Sequence, residues 1–149
     1  MVKQLNVIYV EDDEADVDFV KAALKATSSE GFNLTILGDG EEAVRFFSDA
    51  EEGAKVPQMH QLVLLDLNLP KISGMNVLKH LKSSERLKGI PVVVLSTSRR
   101  QADVKESYRI GANSFISKPT NFDGYKETVK QLHEYWVKAC TLPGRVLES

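Results

Sequence analysis

The chain has 149 residues, of which 42% are hydrophobic and 27% charged, enough for one folded domain with a real core and a soluble surface. Nineteen Lys and Arg against 21 Asp and Glu leave a net charge of −2, which argues against a general electrostatic binder of nucleic acid, the local pair Arg99-Arg100 aside. One cysteine, Cys140, excludes an intrachain disulfide and suits a reducing compartment; no apolar run approaches the roughly 20 residues of a membrane span.

Apolar runs alternate with helical patterns along the chain. Val7 to Val10 reads as a buried strand, followed by a helix over Asp16 to Lys25, where Val17, Val20, Ala23 and Leu24 recur at helical spacing. Leu34 to Leu37 is a second strand and Glu41 to Ser48 a second helix. Ala50 to Gln61 reads as a polar loop. Leu62 to Leu67 is the third strand, and Gly74 to Leu87 the third helix. Pro91 opens a fourth strand over Val92 to Leu95. A fourth helix spans Gln101 to Ile110 and stops at Gly111. Ser114 to Ser117 is a short fifth strand, and a last helix runs from Asn121, a suitable N-cap, to about Ala139.

Strand-helix units in series predict a parallel sheet covered on both faces, of the flavodoxin-like or half-Rossmann type. A dinucleotide site needs a Gly-rich turn after the first strand. Here Glu11-Asp12-Asp13-Glu14 stands there and would repel phosphate. No zinc-type spacing is present, and His60, His80 and His133 lie far apart in sequence. The N-terminus carries no signal-peptide pattern, so the expected compartment is the cytoplasm.

In open α/β sheets the functional crevice lies at the carboxyl ends of the strands. The first strand delivers Glu11, Asp12 and Asp13 there, the third Asp66, the fourth Ser96 and Thr97, and the fifth Lys118 followed by Pro119. Any one of these acids alone reads equally as a loop residue or a helix cap; Asp13, Glu14 and Asp16 suit a helix start. Together they form a chemical set. Converging carboxylates repel unless a hard dication offsets them, and Mg²⁺ takes such oxygen ligands. Mg²⁺, a lysine and a hydroxyl stabilise a transferring phosphoryl group, and an aspartate can accept it.

The segments VIYVEDD, LLDLNLPKISG, PVVVLSTS and GANSFISKP, in this order, resemble the receiver domain of two-component response regulators, over about Gln4 to Ala139. The resemblance implies a flavodoxin-like five-stranded parallel sheet, order 2-1-3-4-5, with helices on both faces in a (βα)5 arrangement. It makes Asp66 the phosphoacceptor and Glu11 and Asp12 the acidic pair at the metal. Asn68 lends its backbone carbonyl to Mg²⁺. Ser96 is the switch hydroxyl, Lys118 the lysine that holds the phosphoryl group, and Phe115 the aromatic switch residue. Pro119 takes the place that follows a cis peptide bond in such domains. The implied partner is a sensor histidine kinase, and the domain promotes only its own phosphorylation and dephosphorylation rather than acting as an enzyme on an external substrate. A haloacid-dehalogenase-type phosphatase uses a similar residue set, but with its nucleophile after the first strand. A degenerate receiver would lack part of the set.

Residues 1–140 are expected to form the receiver and 141–149 a C-terminal arm, with no output domain. Tyr135-Trp136 followed by Thr141-Leu142-Pro143 resembles the ending of single-domain regulators that partner bacterial phytochromes and form homodimers. Tyr135, Trp136, Leu142 and Pro143 are therefore candidate interface residues. The dimer is expected through the arm or through the face made by the fourth helix, fifth strand and fifth helix, with output by association and no nucleic-acid or membrane partner.

Overall fold

A computed structural model of the chain describes residues 4–52 and 60–142. Five parallel strands, β1 (Leu5–Val10), β2 (Phe32–Leu37), β3 (His60–Leu65), β4 (Val92–Ser96) and β5 (Ser114–Ser117), pair in the order β2-β1-β3-β4-β5. This is the expected flavodoxin-like topology. The connecting helices are α1 (Glu14–Ala26), α2 (Gly40–Glu52), α3 (Gly74–Ser83), α4 (Gln101–Ile110) and α5 (Phe122–Leu132).

Side chains alternate across a strand, so the two faces of the sheet build two cores. Leu5, Val7, Tyr9, Leu62 and Leu64 pack under α1 and α5 with Val20, Ala23 and Val129. Ile8, Val10, Val63 and Leu65 pack under α2 and α3 with Phe47, Val77, Leu78 and Leu81. The central strands are apolar on both faces because both faces are covered.

Several boundaries differ from the sequence expectation. The helix α2 continues to Glu52, through the Ala50-Glu51-Glu52 run of good helix formers that had read as loop. β3 ends at Leu65, because the chain turns at Asp66 so that the Asn68 N–H donates to its own Asp66 Oδ1 at 3.2 Å. α3 stops at Ser83: Ser84 is extended and its hydroxyl accepts from the Leu87 N–H at 3.2 Å. Leu87 is still buried, so its apolar signal belonged to the core and not to the helix. The last helix changes character at His133, and His133–Ala139 is π-helical, closed by the Cys140 N–H donating to Tyr135 C=O at 2.7 Å. Asn121 caps α5 through Gly124 N–H as expected. No cis peptide bond occurs among the described residues, so Lys118–Pro119 is trans, the isomer that X-Pro bonds favour, and the cis expectation there is not met.

Candidate functional site

Strand register alone brings the chemistry together. Val10 pairs with Leu65, so Glu11 and Asp66 are the next residues on adjacent strands, and the Asp66 N–H donates to Val10 C=O at 3.1 Å. Ser96 pairs with Ser117, and the Lys118 N–H donates to Ser96 C=O at 2.8 Å. Four strands thus end in one crevice.

Glu11 and Asp66 are 2% and 3% exposed, while Asp12 faces solvent. Carboxylate oxygens of these three residues lie within 4.8 Å of one another. Three hard oxygen donors, two held inside the protein and one open to water, fit a dication that retains part of its water shell. No other group of three or more metal-ligating side chains occurs among the described residues. Two of the histidines make contacts away from this cluster: His80 meets Ser48 Oγ at 3.3 Å and His133 meets Glu30 C=O at 2.6 Å.

The Lys118 side chain reaches into this cluster and is itself 7% exposed. Its Nζ lies 2.8 Å from Glu11 Oε1, 2.8 Å from Asp16 Oδ2 and 3.3 Å from Asp66 Oδ2. Burial works to lower the Lys118 pKa, but the hydrogen bonds to Asp16 and Glu11 and the charges of Asp66 and Glu11 outweigh it and hold the ammonium above its usual range. Glu11 moves the other way. Burial pushes its carboxyl up to about 7, Lys118 opposes this, and Asp66 adds to it. The Tyr9 hydroxyl donates to Glu11 Oε1 at 3.3 Å from inside the core. Burial first, then the Glu11 charge, raises the Tyr9 phenol above its ordinary value, so it remains a donor.

Ser96 is fully buried, and its Oγ accepts from Ser98 N–H at 3.1 Å. Thr97 is exposed and its hydroxyl is within 3.5 Å of Asn68 Nδ2. Phe115 is partly buried against the α2–α3 core, and its backbone N–H donates to the Tyr108 hydroxyl at 3.1 Å. Asp13 is the α1 N-cap, accepting from Ala15 N–H at 2.9 Å, as its place in sequence suggested.

Two further site residues were not singled out as such in the sequence. Asp16 read as a helix-start acid, yet it takes the lysine. Gly74 supports Asp66: a Cβ there would lie 2.0 Å from Asp66 C=O, and the Gly74 N–H donates to Leu67 C=O at 2.9 Å. The signal for Gly74 was present in the closing glycine of LLDLNLPKISG. Asp16 left no local signal, because its partner is 102 residues away.

The four candidate interface residues separate. Tyr135 is 56% exposed, whereas Trp136 and Leu142 are buried in the α1–α5 core, and Pro143 lies outside the described residues. A groove of about 340 Å³ beside β5 and α5 is lined in part by Ile116, Leu132, Tyr135 and Trp136. No helix among the described residues is long and apolar enough to cross a membrane.

The response regulator receiver domain family profile matches residues 7–130. The response regulator Rcp1 of Synechocystis is 39% identical over 92% of this chain and 92% of its own. Its Mn²⁺-bound crystal structure superposes with a TM-score of 0.80 over 93% of this chain and 98% of that one, at 37% identity. The phosphorylated form of RcpA, a cyanobacterial phytochrome response regulator, is 38% identical, with a TM-score of 0.83 over 94% of this chain and 99% of that one. The probable methanogenesis regulatory protein FilR2 of Methanothrix harundinacea is 37% identical over 93% of this chain and 87% of its own. With the strand order, the acidic trio and the buried lysine at the strand ends, these matches make the chain a member of the response regulator receiver domain family.

Proposed function

We propose that Asp66 is the phosphoacceptor of this regulator, phosphorylated by a sensor histidine kinase. The observation that carries this is the buried Lys118 ammonium 3.3 Å from Asp66 Oδ2, beside an open acidic cluster. Glu11, Asp12 and Asp66, with the backbone carbonyl of Asn68, would hold Mg²⁺. Bound there, the ion would offset the clustered carboxylates and the charge on the phosphoryl oxygens. An Asp66 carboxylate oxygen attacks the phosphorus of a phosphohistidine. The new O–P bond forms as the N–P bond breaks, and the imidazole leaves with its electron pair. Water later attacks the phosphorus, releasing inorganic phosphate and restoring the carboxylate. The domain promotes only these two steps and turns over no external substrate.

Lys118 holds the incoming charge, about −1.5 to −2 for a phosphate group. The Ser96 hydroxyl now accepts from Ser98 N–H, and turning it toward the phosphoryl group pulls the 96–98 segment inward. Phe115, partly buried on the neighbouring strand, follows into the space this opens. The altered α4–β5–α5 face, with exposed Tyr135 at its edge, carries the output as a change in association between two copies. Similarity to RcpA, a phytochrome response regulator, supports a phytochrome-type kinase as the donor, and membership of the receiver domain family supports the cytoplasm as the place of work.

Incubation with acetyl phosphate and Mg²⁺, followed by intact mass and oligomeric state, tests this. A single phosphate adduct on wild type that is absent from Asp66→Asn is the expected result. No adduct on wild type overturns the assignment of Asp66.

A further inference from the structure

Asp16 lies outside the acidic trio, yet it binds the site's lysine as closely as Glu11 does, at 2.8 Å. An ammonium has three donors, and in Lys118 all three meet carboxylates: Glu11, Asp16 and Asp66. The Asp66 contact is the longest, at 3.3 Å, so the resting ammonium sits toward Asp16 and Glu11, away from Asp66.

Asp16 is also anchored. Its other oxygen, Oδ1, accepts from the Tyr125 hydroxyl at 3.1 Å. Tyr125 is 2% exposed, sits on α5, and stacks on Phe19 of α1 with ring centroids 5.2 Å apart. The carboxylate is therefore fixed from two helices and does not follow the lysine freely. Its side chain is 20% exposed, which leaves its charge only partly screened by water. A dication held by the trio would offset Glu11, Asp12 and Asp66. Asp16 is not in that trio, so an ion held there would leave its ion pair with Lys118 in place.

We infer that Asp16 is a positioning residue, a fixed counter-charge that competes with a phosphorylated Asp66 for Lys118 and thereby limits how tightly and how long the phosphoryl group is held. The inference rests on Asp66 being the phosphoacceptor. It links the α1–α5 contact to phosphoryl lifetime, because whatever shifts Tyr125 or Phe19 shifts the anchor of Asp16.

The test is beryllofluoride, titrated calorimetrically at saturating Mg²⁺, together with the decay of the acyl phosphate formed from acetyl phosphate. Asp16→Asn keeps an acceptor for Tyr125 and removes the charge. Beryllofluoride affinity and acyl-phosphate lifetime should each rise about fivefold, the scale of a partly exposed ion pair. Asp16→Glu should restore wild-type values. Asp18→Asn, an exposed acid of the same helix that does not touch Lys118, should leave both unchanged and so excludes a general charge effect. Tyr125→Phe releases the anchor from α5 without altering a charge, and should shift both quantities in the same direction by less. If wild type binds beryllofluoride but Asp16→Asn and Tyr125→Phe bind it equally or more weakly, the role of Asp16 is wrong while Asp66 stands. If wild type binds none, the assignment of Asp66 fails, and this inference with it.

Discussion

β3 buries every side chain from Gln61 to Leu65, whereas β5 leaves Ser114, Phe115 and Ile116 partly covered and Ser117 exposed. The helices beside them differ in the same sense. α3 buries Gly74, Val77, Leu78 and Leu81, while α4 buries only Ser107. The carboxylates stand on the well-packed centre and Phe115, the proposed switch residue, on the thinly packed edge. A site that must hold charges at fixed separations needs rigid neighbours. An element that must change packing is drawn from regions with few buried apolar contacts. The proposed division of labour between acceptor and output thus matches where each strand lies in the sheet.

Disturbing the centre should have the largest consequence. In Gly74→Ala the new Cβ would meet Asp66 C=O at 2.0 Å and Leu67 Cα at 2.5 Å, and both are backbone that cannot rotate away. The expected loss is about 3 kcal/mol in denaturant unfolding, with the Asp66 turn displaced. At the edge, Tyr108→Phe removes only the hydroxyl that caps the Phe115 N–H. It should cost about 0.5 kcal/mol and speed exchange of that amide, with the exchange of β3 amides unchanged. Equal losses in the two variants would erase the proposed contrast.

Protonation sharpens the contrast from the centre's side. The Glu11 carboxyl rises from 4.5 to about 7, chiefly by burial, so between these values the folded protein holds a proton that the unfolded chain has released. Its contribution to metal-free stability is therefore full below about pH 4.5 and is lost as pH rises through about 7. A metal ligand must be deprotonated, so Mg²⁺ affinity should climb through the same interval and level off above it. Glu11→Gln should flatten this part of both profiles and weaken Mg²⁺ binding; calorimetric titration at a series of pH values checks each.

The strands and the acids at their ends were legible because buried parallel strands are short, apolar on both faces and punctuated by turns, whereas their order came only with the receiver resemblance. Glu11, Asp66, Ser96 and Lys118 followed from position alone, each being at or just past a strand's last residue. What escaped was set by tertiary partners. Leu87 kept an apolar rhythm beyond the end of α3 because it fills the core from a turn. Asp16 looked like one more helix-start acid until the fold brought Lys118 to it. The π-helical turn at His133 gave no compositional sign, since it accompanies an imidazole bond to Glu30 across the fold.

The smallest effect is expected within the centre itself, in the loop between β3 and α3. Lys71 has φ of 70°, in the left-handed region that a lysine enters only at a cost in strain and an asparagine tolerates better. Opposing this, Lys71 Nζ lies 3.4 Å from Asp39 Oδ2, and the lysine side chain is 57% exposed. Such a surface pair contributes little and is screened by salt, whereas backbone strain is not. At low ionic strength Lys71→Asn should therefore lie close to wild type, with the lost pair offsetting the relieved strain. At about 1 M salt, where the Debye length is about 3 Å, the variant should become the more stable by about 0.5 kcal/mol. Denaturation by urea at the two salt concentrations separates the terms, because urea adds no ions of its own. A loss at low salt that vanishes at high salt, with no gain there, would mean that charge, and not backbone strain, governs the loop that follows Asp66.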